Sequence, residues 1–144
     1  MVAVHFTVGV LLFALNLAAG GWGVIAWLTR RPSPAFWYVL RAAQVAVILQ
    51  TVLGGLLLVT GHKAGSPIHY LYGVIPLVVT LVTESLRVGA AQSVVGDTDY
   101  RVLPEEDQRR LALRIFVAET RVMALGCLFI AADAIRAAMT SGGL

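Results

Sequence analysis

His69-Tyr70-Leu71-Tyr72-Gly73-Val74 opens an apolar run that reaches Ala90, and its pattern of a histidine followed by Gly-Val four and five residues on is met earlier, in His5-Phe6-Thr7-Val8-Gly9-Val10. That earlier copy also opens a long apolar run. In a helix, residues four apart share a face, so each copy sets a glycine one turn below a histidine. An imidazole near the lip of a hydrophobic helix is costly in lipid and is kept where something uses it.

The chain around these runs reads as an integral membrane protein. Its 144 residues are 58% hydrophobic and only 13% charged, with a mean hydropathy of +0.82. A bilayer core about 30 Å thick needs roughly 20 apolar residues per helix. Four such segments are expected, at 3–28, 36–60, 67–90 and 104–138, leaving no room for a second domain. The first run is longer than the core of a secretory signal and lacks a basic start, so it is expected to remain as a spanning helix.

Loop chemistry supports the four segments. Thr29-Arg30-Arg31-Pro32-Ser33-Pro34 and Gly61-His62-Lys63-Ala64-Gly65-Ser66-Pro67 stop helices and are short, which makes successive helices antiparallel neighbours. Phe36, Trp37 and Tyr38 read as an interfacial aromatic cluster. Pro104 followed by Glu105, Glu106 and Asp107 is a helix start, because carboxylates favour the positive end of the dipole. The expected fold is an all-α, up-down bundle of four transmembrane helices.

The net charge of +3 comes from ten arginines and one lysine against eight acids. No basic patch is interleaved with aromatics, so nucleic acid is not an expected partner, and the charge is read through the positive-inside rule. Arg30, Arg31, Arg41, Arg87, Arg101, Arg109, Arg110 and Arg114 gather at one end of the bundle, against Lys63 and Arg136 at the other. The Arg-rich end is expected in the cytoplasm of a bacterial plasma membrane, with both termini outside. The expected partners are the lipid bilayer and a larger membrane complex or a second copy of the chain.

Helical spacing sorts the polar residues onto faces. His69, Gly73, Pro76, Thr80, Glu84 and Arg87 lie in one stripe, and His5, Gly9, Leu12, Asn16, Ala19 and Gly23 repeat its register. Arg41, Gln44 and Thr51 add polar positions on the second helix. Val52-Leu53-Gly54-Gly55 is echoed by Ala124-Leu125-Gly126-Cys127, so the chain also reads as a duplicated helical hairpin with parallel repeats.

Two constellations carry chemistry. In an up-down bundle the first and third helices are diagonal, so His5 and His69 face each other, with Gly9 and Gly73 leaving room below for a flat macrocycle. Two neutral imidazoles at one depth are the axial ligands a b-type haem iron takes; the bland alternative is a pair of hydrated interfacial histidines. Deeper in, Arg41, Glu84, Glu119 and Arg121 form a set whose charges cancel, read as a clamp on helix register or as a proton path, because unpaired charges in lipid are costly. His62 in its loop is a solvated side chain or a spare ligand. Asp133 and Arg136, three residues apart, read as a surface pair.

Gln50-Thr51-Val52-Leu53-Gly54-Gly55, Thr60-Gly61 and His69 resemble the pattern in the four-helix halves of haem A synthase. The resemblance implies a haem-holding four-helix scaffold with His5 and His69 as the positions that carry over. It does not carry the synthase activity, since that family joins two such units and has extracytoplasmic residues with no counterpart here. Small four-helix families such as the copper-resistance D type look about as similar. No nucleophile triad, phosphate loop or zinc spacing is present, which speaks against a hydrolase, kinase or metalloprotease, and the histidine pair makes a haem b-binding redox or haem-handling protein, more a binder than an enzyme, the expected reading. The alternatives are an accessory subunit packing through Ala14, Ala18, Ala19 and Gly23, and a small proton-coupled carrier using Glu84. The single Cys127 excludes an intrachain disulfide.

Overall fold

The computed structural model describes residues 1–141. It consists of α1 (Val2–Thr29), α2 (Pro34–Val59), α3 (Ile68–Val95) and α4 (Glu105–Thr140), with a 3-10 turn at Tyr100–Val102. All four helices are long and apolar enough to cross a membrane. The chain is an all-α, multi-pass four-helix bundle.

Local chemistry sets the helix ends. α1 stops where Arg30 turns left-handed, at φ 53°, and its N–H returns to Trp27 while that of Arg31 reaches Ala26. Pro34 sits in the first turn of α2, where a missing N–H costs nothing. α3 continues past its expected end at Ala90, because Ala91-Gln92-Ser93 contains no breaker, and it stops at Gly96 with φ 54°. α4 starts directly after Pro104 with three acids in its first turn. At 36 residues it is about 54 Å long at 1.5 Å per residue, so it overshoots the bilayer core at the Arg-rich end. There the Arg109–Glu105 and Arg110–Glu106 pairs lie along its surface.

α1 packs closely on α2 and α4, and α4 packs equally closely on α3. The α2–α3 seam is sparse. Helices α1 and α3 therefore stand diagonally across the bundle. Close approach is made by small residues. A Cβ at Gly20 would lie 2.7 Å from the Leu128 side chain, and one at Gly23 would lie 2.7 Å from both Ala124 Cβ and Phe36 Cε2. At Gly126 it would lie 2.5 Å from Thr83 Cγ2.

Phe36 is thus fully buried in the notch over Gly23, in a cluster with Ala19, Leu40, Met123 and Cys127. Of the expected interfacial aromatic cluster, Tyr38 is exposed and Phe36 is core. A second cluster of Leu12, Ala46, Val47 and Ile130 fills the half nearer the histidines. The two hairpins are not packed alike. A parallel duplication would relate the tight α1–α4 contact to the α2–α3 contact, which is the thinnest between neighbouring helices.

Candidate functional site

The stripes lie where the spacing put them. On α1, Leu12, Asn16, Ala19 and Gly23 are buried, and on α3 so are Pro76 and Thr80. His5 and His69 are half-buried at the far ends of these stripes. Their ring centres are 6.3 Å apart, with planes at 68°.

Each imidazole has a defined neighbourhood. His69 Nδ1 lies 3.0 Å from the Ala137 carbonyl, which can only accept, so Nδ1 carries the proton and Nε2 keeps its lone pair. Metal-bound histidines are oriented by this kind of carbonyl contact on the far nitrogen. His5 Nε2 is 3.2 Å from Gln50 Nε2, while His5 Nδ1 is buried without a partner. The amide can only donate to an unprotonated ring nitrogen there, and it leaves Gln50 Oε1 also buried and unpaired. All four helices contribute: His5 from α1, Gln50 and Gly54 from α2, His69 from α3, Ala137 and Thr140 from α4.

By spacing alone, His5 and His69 could hold one metal ion between them. Imidazole–metal bonds run about 2.0–2.1 Å, so two rings on one ion have centres roughly 6 Å apart. The space beneath them departs from expectation. A Cβ at Gly9 would stand 3.0 Å from Gln50 Nε2, so the volume below His5 is filled by that amide. Below His69, at Gly73, nothing lies within 4 Å. The α3 side is therefore open at Gly73, beside the thin α2–α3 seam, whereas on the α1 side the Gln50 side chain would have to turn away to make space.

At the Arg-rich end a second polar group ties three helices. Arg41 of α2 pairs with Glu84 of α3, which also accepts from Gln44 at 2.7 Å. Arg87 bridges two acids, Glu84 at 2.9 Å and Glu119 of α4 at 2.8 Å, with its guanidinium 5.7 Å from the Trp37 ring centre. A cleft of about 400 Å³ opens here between Trp37, Arg41, Arg87, Phe116 and Glu119.

Arg121, expected in this network, is exposed on another face of α4 and forms no ion pair among the described residues. Its place is taken by Arg87. Residues two apart on a helix face different ways, so Glu119 and Arg121 could not both turn inward. Asp133 departs further. It is buried, at 7% exposure, its Oδ2 has no hydrogen-bond partner, and it makes no ion pair with the exposed Arg136.

His62 is exposed in its loop, 3.2 Å from Thr60 Oγ1. Cys127 is a buried free thiol. No cluster of three or more His, Cys, Asp or Glu side chains able to hold a metal occurs among the described residues. Comparison with known protein families, characterised proteins and solved structures returns no match.

Proposed function

We propose that the chain is a haem b-binding protein of a bacterial plasma membrane, with His5 and His69 as axial ligands and the Arg-rich end in the cytoplasm. The observation that carries the reading is the meeting of two imidazoles from diagonal helices at 6.3 Å. Support comes from the carbonyl on His69 Nδ1, which leaves the other nitrogen as a donor, and from the open face at Gly73. A bound haem supplies one-electron exchange at its iron. The chain's own part is to fix the two rings, to give a backbone close approach at Gly73, and to exclude water with the apolar layer around Leu12, Val47 and Ile130. Gln50 is the gate residue, since its amide must leave His5 Nε2 for that nitrogen to ligate.

Titration of the purified protein with haemin, followed by absorbance, tests the reading. Saturation at one haem per chain is expected, with His5→Ala and His69→Ala each losing the low-spin product and His62→Ala keeping it. Binding that ignores both alanine substitutions overturns it.

A second reading, an accessory subunit of a larger membrane complex, is favoured by α1 alone. Ala14 and Ala18 are exposed there and Gly21 has nothing within 4 Å, so one lipid-facing side of α1 consists of small residues at helix-packing spacing. Ala19 and Gly23, by contrast, are used inside the bundle. A protein that takes up no haem and is retained in a larger assembly on mild extraction would fit this reading.

A further inference from the structure

α4 lies between α1 and α3, and three contacts mark the row of α4 that faces α3: Glu119 to Arg87, Gly126 against Thr83, and Ala137 to His69. Asp133 stands seven residues after Gly126 and four before Ala137, so it belongs to the same row. The antiparallel register places its level on α3 between Thr83 and His69, around Gly73 and Pro76.

Both sides of that level carry an oxygen without its usual partner. Asp133 is buried, with 7% of the residue exposed, and its Oδ2 has no hydrogen-bond donor. At that level Pro76 stands inside the continuous α3 and brings no N–H, so the Tyr72 carbonyl one turn away lacks its helical amide partner. A carboxylate in the membrane interior is strongly disfavoured unless a cation or proton joins it. The charged and titratable groups facing this level are His69 and Tyr72 from α3, His5 from α1, and Arg136 on α4 itself. None is paired with Asp133 among the described residues.

We infer that Asp133, with the Tyr72 carbonyl opposite, is a binding site for a monovalent cation, a proton or sodium, in the histidine half of the bundle. A carboxylate and a backbone carbonyl that proline leaves without its N–H are oxygen donors of the kind small cations take. Glu84 and Glu119 are not alternatives, since both are neutralised by arginines.

The test is carbodiimide labelling of the native chain in detergent. Dicyclohexylcarbodiimide adds to a protonated carboxyl buried in an apolar setting, and the adduct is located by peptide mass mapping. Modification at Asp133 is expected, absent from Asp133→Asn, falling several-fold as pH rises, with the arginine-paired Glu84 and Glu119 unlabelled. Sodium chloride compared with choline chloride at equal ionic strength separates the ligands: protection by sodium assigns a sodium site, and equal labelling assigns a proton site. No adduct at Asp133 at any pH in sodium-free buffer, or labelling indifferent to both pH and sodium, overturns the inference.

Discussion

His69 Nδ1 rests 3.0 Å from the carbonyl of Ala137, a contact that holds the N-terminal end of α3 to α4 and chooses the tautomer of the ring. The free protein should therefore carry the neutral His69 proton on Nδ1. Nitrogen-15 spectra of the imidazoles check this, and a dominant Nε2–H form would mean the carbonyl does not orient the ring.

At Gly126 α4 runs close against α3, and a Cβ there would stand 2.5 Å from Thr83 Cγ2. Gly126→Ala should cost about 1–3 kcal/mol, the usual price of overpacking. Thr83→Ser removes the opposing methyl, so the double substitution should recover part of the loss, and a double-mutant cycle in mixed micelles reads the coupling. Additive losses would show that the two residues do not meet.

The arginines at the other end should differ in weight. Arg87 bridges Glu84 and Glu119 and is 24% exposed, whereas Arg41 is 52% exposed. Arg87→Leu should destabilise by roughly 3 kcal/mol, the cost of stranding the partner of a buried charge, and Arg41→Leu by about 1 kcal/mol or less. Glu119→Gln in the Arg87→Leu background should return some of the loss. Arg121→Gln, outside the network, should stay within about 0.5 kcal/mol of the native chain.

What sequence could and could not reveal follows from the range of each interaction. Four spans, their antiparallel order and the inward stripes of α1 and α3 depend on local period and loop length, and these were readable. The choice of Arg87 over Arg121, missed in the expected set, was open to the same reading, since Arg87 is three residues from Glu84 on the same face while Arg121 is two from Glu119 on another. Asp133 was misjudged because its spacing to Arg136 favours a surface pair, and only the rotation of α4 against α3 turns it inward. Gln50 beneath His5 has no local signal at all. It is brought there by the packing of α2 on α1, which also fills the space that Gly9 would leave.

The proposed orientation puts the arginine-rich end in the cytoplasm. With Cys127 replaced by Ala, single cysteines at Ser66 and Ser93 should label from opposite sides of intact cells, Ser66 from outside. Reaction of Ser93 with an impermeant reagent added outside would invert the topology.

The reduced-minus-oxidised absorbance spectrum of the protein, purified after expression with ample haem supply, tests the central claim most directly. Haem held between His5 and His69 predicts sharp low-spin bis-imidazole bands, converted to a high-spin form by His69→Ala. A colourless protein, or the same bands in both His5→Ala and His69→Ala, would contradict the account.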